Sequence, residues 1–73
     1  IIDKKVTIGR HAYLGFGEDY TPNHDKPDLL QTGITVVEKS AIIPSETKIG
    51  RNCRIFRTAH FTDKEIPSGS TLA

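Results

Sequence analysis

Large apolar residues recur every six positions along this chain. Val37, Ile43, Ile49, Ile55 and Phe61 form one run, and Ile2, Ile8 and Leu14 form another. Compact residues follow at a fixed offset of four: Val6 and Ala12 in the short run, Ala41, Thr47, Cys53 and Ala59 in the long one. A period of six matches neither the 3.6 of an α-helix nor the two of a plain strand. Gly9, Gly15, Gly50 and Pro44 each directly follow a large apolar position, where they would interrupt a helix. What satisfies the pattern is a short strand with one inward apolar residue, a turn that needs a small side chain, and the same unit again on the next face.

Three such units close a triangular coil, so residues 18 apart stack along a prism and each coil covers the open backbone edge of the one before. The spacing predicts Val37 over Ile55 and Ile43 over Phe61, with a core of Ile8, Leu14, Val37, Ile43, Ile49 and Ile55. The predicted fold is all-β, a single-stranded left-handed parallel β-helix of hexapeptide repeats, about two to three coils long. One domain fills residues 1–73, interrupted by a loop excursion at 16–32 that lacks the repeat. Ile43-Pro44-Ser45-Glu46-Thr47-Lys48-Ile49 is echoed by Ile66-Pro67-Ser68-Gly69-Ser70-Thr71-Leu72 at an offset of 23, which reads as one coil plus five extra residues between Ala59 and Glu65. Glu38, Pro44 and Phe56 occupy positions where such repeats commonly carry glycine. Stacked repeats need about three units and capped ends to stand alone. With no Met at its start, the chain is read as a fragment that needs a neighbour.

Charge excludes some partners. Ten Lys and Arg against nine Asp and Glu leave a net charge of +1, which offers no general attraction to nucleic acid or an anionic membrane. Tyr13 and Tyr20 lack the regular spacing of a base-stacking surface and are expected in a core or an interface. No apolar run approaches the roughly 20 residues that span a bilayer, and one cysteine builds no disulfide framework. A cytoplasmic protein is expected, and Cys53, at a small-residue position, is expected to be a buried space-filler.

Gly33-Ile34-Thr35-Val36-Val37, Lys39, Ala41, Ile43-Pro44 and Ile49-Gly50-Arg51-Asn52-Cys53-Arg54-Ile55 resemble the C-terminal domain of bacterial glucose-1-phosphate adenylyltransferases, also called ADP-glucose pyrophosphorylases. Gly17-Glu18-Asp19-Tyr20-Thr21-Pro22-Asn23 and Ile66-Pro67-Ser68-Gly69 are similar to some members of that group. The resemblance implies a parent nucleotidyltransferase that joins ATP and glucose 1-phosphate with magnesium, yielding ADP-glucose and pyrophosphate for glycogen synthesis. It implies that catalysis belongs to an N-terminal α/β domain, so no catalytic residue and no metal ligand are expected in this chain. The implied partners are that catalytic domain, further subunits of a homotetramer, and an anionic metabolite effector.

Two local features carry possible chemistry. The 16–32 excursion holds Glu18, Asp19, Asp25 and Asp28 against Lys26 alone; it is expected to pack on a neighbouring domain or subunit through Leu29 and Leu30. A rival reading makes His24 the general base of a hexapeptide acyltransferase, since imidazole titrates near working pH; a third is a purely structural β-helical segment. Asp19, His24 and Asp25 lack paired-ligand spacing, and His11, His24 and His60 do not fit the spacing of the zinc-binding γ-class carbonic anhydrases. The second feature is basic. Lys4, Arg10, Lys39, Arg51 and Arg57 all lie two residues after a large apolar position. Lys39, Arg51, Arg54 and Arg57 are the candidate effector or phosphate-binding residues, because guanidinium forks suit phosphate oxygens.

Overall fold

The computed structural model describes residues 1–73. Eight two-residue strands alternate with turns, and there is no helix: β1 (Thr7–Ile8), β2 (Tyr13–Leu14), β3 (Val36–Val37), β4 (Ile42–Ile43), β5 (Lys48–Ile49), β6 (Arg54–Ile55), β7 (Glu65–Ile66) and β8 (Thr71–Leu72). They form three parallel sheets, β1-β4, β2-β5-β7 and β3-β6-β8, and Ile2 adds a parallel bridge to Val37 on the third. From β1 to β6 the chain visits the three sheets in rotation, an arrangement compatible with a β-helix. Each strand ends on a large apolar residue of the six-residue series or its counterpart, and those residues stack: Ile8 on Ile43, Leu14 on Ile49 on Ile66, and Val37 on Ile55 on Leu72.

The offsets between stacked partners show where the repeat is broken. Val36 pairs Arg54 at the regular offset of 18. Thr7 pairs Ile42 and Tyr13 pairs Lys48, an offset of 35 that equals one coil plus the 17 residues of the excursion. The closing segment departs from expectation. Five extra residues would have carried Ile66 to the face of Ile43, but Ile66 stacks on Ile49 and Leu72 on Ile55, each at an offset of 17. That coil is one residue short, and its middle face has no strand. Phe61 is half-buried against the core, and no strand pairs it with Ile43. The sequence echo therefore repeats a turn, not a face.

Val37, Ile43, Ile49 and Ile55 are almost wholly buried, together with Ala41, Thr47 and Cys53 at the small-residue positions. The other two expected core residues are less covered. Leu14 is half-buried against the core, and Ile8 remains 40% exposed, because the first coil has a stacked neighbour on one side only.

One regularity was not read from the sequence. Lys5, His11, Ser40, Glu46 and Asn52 all adopt φ between 58° and 64°, and each stands three residues after a large apolar position. Gly17 and Gly69 continue that series with positive φ. A left-handed residue at each such corner turns the chain onto the next face, although it costs a non-glycine residue about 1–2 kcal/mol. Two glycines directly after apolar positions, Gly9 and Gly50, serve a different purpose. A Cβ on Gly9 would strike the backbone of Pro44 and Ser45, and one on Gly50 would lie 2.6 Å from the backbone N of Ser68, so these two permit close coil-to-coil approach.

Candidate functional site

The excursion is clamped to the coils by two fully buried asparagines. Asn52 sits at a left-handed corner, which turns its side chain toward the loop. Its Oδ1 accepts the Gly33 N–H at 2.7 Å, and its Nδ2 donates to the carbonyls of Tyr20 and Thr21, both at 3.1 Å. Asn23, inside the excursion, answers from the other side. Its Nδ2 donates to the carbonyls of Asn52 (3.0 Å) and Ser70 (3.2 Å), while its Oδ1 accepts the N–H groups of Asp25 and Lys26 and the Thr71 hydroxyl. Both side-chain N–H groups of each amide donate and each amide oxygen accepts at least one hydrogen bond, which is what makes buried polar groups tolerable. The His24 N–H donates to the Gly69 carbonyl at 2.9 Å. At the outer end, Thr21 donates its hydroxyl and N–H to Asp19, holding that carboxyl below its usual range.

The excursion thus packs on its own coils, and its two leucines part company: Leu30 is buried, but Leu29 is 73% exposed. Beside Leu29 lies a surface cleft of about 310 Å³, lined by Ile1, Ile34, Leu30 and Val36 and rimmed by Lys26, Glu38 and Arg54.

The four cationic candidates do not converge. Arg51 is absorbed by the clamp: its Nε donates to the Gly17 carbonyl at 2.6 Å and its guanidinium lies 4.4 Å from the Tyr20 ring centre. Arg54 donates to Glu38 at 2.9 Å and stacks on Phe56 at 4.7 Å. Lys39 and Arg57 are exposed and stand at equivalent turns of adjacent coils, two residues beyond the stacked pair Val37 and Ile55. Lys4 joins that corner from the first coil, where its carbonyl accepts the Ser40 N–H.

His24 is exposed, and its imidazole takes part in none of the chain's hydrogen bonds, so nothing orients it as a base. Cys53 is buried and its thiol donates to the Pro67 carbonyl at 3.3 Å; burial pushes its pKa up, the opposite of what a nucleophile requires. No group of three or more His, Cys, Asp or Glu side chains converges to hold a metal. No helix is long and apolar enough to cross a membrane.

Short stacked parallel strands, corners of positive φ and a side loop locked by asparagines define an all-β module. Sequence comparison places that module. Over 99% of its length the chain is 47% identical to a glucose-1-phosphate adenylyltransferase of Thermomicrobium roseum, and over 93% it is 40% identical to one of Acetivibrio thermocellus. The resemblance to glucose-1-phosphate adenylyltransferases is thereby shown across nearly the whole chain. The chain spans 18% and 15% of the length of these two relatives. No family model and no solved structure matches it.

Proposed function

We propose that this chain is the C-terminal regulatory and assembly domain of an enzyme that makes ADP-glucose and pyrophosphate from ATP and glucose 1-phosphate in glycogen synthesis. The observation that carries the reading is similarity at 47% and 40% identity, over nearly the whole chain, to a short segment of two glucose-1-phosphate adenylyltransferases. The fold is read as a left-handed parallel β-helix; the rotation through three parallel sheets and the left-handed corners recurring every six residues support it.

On this reading the parent is a cytoplasmic homotetramer, and ATP, glucose 1-phosphate and magnesium bind in its N-terminal catalytic domain. This domain contributes assembly surfaces and part of an effector site. Lys39 and Arg57, unpaired and neighbouring at one corner, receive an anionic metabolite, while Arg51 and Arg54 are held in intrachain contacts. The test is pyrophosphate release from ATP and glucose 1-phosphate by the full-length protein, with and without this segment, alongside sedimentation. Release that persists while its regulation or the subunit number changes on deletion is the expected result. No release from the full-length protein would overturn the reading and favour an acyltransferase, for which His24→Ala should abolish activity.

A further inference from the structure

At the start of the chain, Ile1 continues the third sheet outward. Its amino nitrogen donates to the Thr35 carbonyl at 2.7 Å, its carbonyl accepts the Val37 N–H at 2.8 Å, and the Asp3 N–H donates to the Val37 carbonyl at 3.0 Å. These are the slanted bonds of a parallel ladder, with Ile1 opposite Val36 in the same register as Ile2 opposite Val37.

The next steps of that ladder are vacant on the β3 side. Thr35 is only 6% exposed, yet its N–H is absent from the chain's hydrogen bonds, as is the Gly33 carbonyl. Buried backbone donors are rarely left without a partner. In parallel pairing, the residue two before Ile1 would lie opposite Ile34, accept from the Thr35 N–H and donate to the Gly33 carbonyl. Space is open on both sides of this line. The 310 Å³ cleft lies toward Leu29, and a second of about 250 Å³, lined by Ile2, Leu14, Gly15, Gly33 and Arg51, lies on the opposite side; Ile1 and Ile34 line both. Ile1, Ile2, Leu29 and Ile34, at 73, 51, 73 and 47% exposed, are the large apolar side chains left uncovered there.

We infer that the three residues immediately preceding Ile1 in the parent enzyme pair as a parallel strand with Gly33–Thr35 and cover Leu29 and Ile34. This rests on the proposed C-terminal placement, which puts the rest of a chain more than five times this length ahead of Ile1. Side chains of a strand alternate between faces, so the residue two before Ile1 points to the same side as Ile1, into the apolar cleft. That residue is expected to be apolar. The strand fixes the excursion from its outer side, so the segment entering the domain and the clamped loop move as one body.

The test is hydrogen–deuterium exchange in the full-length enzyme, resolved by overlapping peptides across Thr32–Val37. The Thr35 amide is expected to exchange about a hundredfold more slowly than in an unstructured peptide. Replacing the residue two before Ile1 with proline removes its N–H and should restore at least about tenfold of that rate, with the Val37 and Glu38 amides unchanged. Ile34→Asp, at an exposed position, is a second probe that leaves the core ladder intact and should have the same local effect. Fast exchange of Thr35 in the parent protein, or protection that survives both variants, would overturn the inference. Pyrophosphate release, assayed on the same preparation, separates failure of this strand from failure of the C-terminal reading.

Discussion

In the coils, Val37, Ile43, Ile49 and Ile55 are buried among Ala41 and Cys53, and what holds them is apolar surface removed from water. The 16–32 excursion has only Leu30 buried among its large apolar residues, and what holds it is the hydrogen bonding of the buried Asn23 and Asn52 amides. The coil contacts are non-directional and tolerate a repeat that is one residue short, as the closing coil shows. The clamp is directional. It places Gly33, Tyr20 and Thr21 at fixed points on a corner, so a loop with little core of its own acquires a defined surface. A surface loop that keeps one shape can present Leu29 and Lys26 to another segment without first having to be ordered.

The contrast can be broken from either side. Ile49→Asp places an unpaired carboxylate between Leu14 and Ile66; it should cost more than about 4 kcal/mol and abolish the cooperative thermal transition of this domain followed by circular dichroism. Ile55→Ala leaves a cavity between Val37 and Leu72 and should cost about 2–5 kcal/mol in chemical denaturation. Asn52→Ala leaves the Gly33 N–H and two loop carbonyls without their partner. About 1–3 kcal/mol is expected, read chiefly as faster proteolysis within 16–32, with the core melt shifted less.

Cys53 sharpens the coil side. Burial raises its pKa from the ordinary 9.0, so the folded state keeps the neutral thiol where the unfolded chain has begun to ionise. The thiol's contribution is complete below the ordinary value and declines as pH rises from there toward the folded pKa. Denaturation midpoints should therefore fall above about pH 9, and Cys53→Ala should remove that part of the decline. The smallest effect belongs to Glu38→Gln. It severs a pair with Arg54 whose side chains are about 30% exposed, and should cost about 0.2–1 kcal/mol at low salt and less at high salt.

The coils were legible in the sequence because burial imposes a period: a large residue every sixth position and a compact one four later can be read without knowing the corners. Ile8 was over-read because periodicity marks which face a residue occupies, not how many coils cover it. The Pro-Ser echo at 44–45 and 67–68 misled on register, since a turn can recur on a different face when a coil loses a residue. The corners themselves went unseen because Lys5, His11, Ser40 and Glu46 share no side-chain chemistry, only a backbone angle. The clamp left a faint signal. Asn52 stands at the corner offset and asparagine tolerates φ > 0, but Asn23 reads as an ordinary turn former, and its five side-chain hydrogen bonds depend on residues up to 48 positions away. Of the cations, Lys39 and Arg57 could be grouped from their spacing of 18; the diversion of Arg51 to Gly17 and Tyr20 could not, because it depends on how the loop folds back.

The division between an apolar stack and a hydrogen-bonded strap is tested most directly by amide exchange in the full-length protein carrying Asn23→Ala and Asn52→Ala together. The Asn23 and Leu30 amides, which bond within the excursion, are expected to lose at least about tenfold of their protection, while the Val37 and Glu38 amides of the coils stay protected. Simultaneous loss of protection in both regions, or an excursion as protected as before, would contradict it.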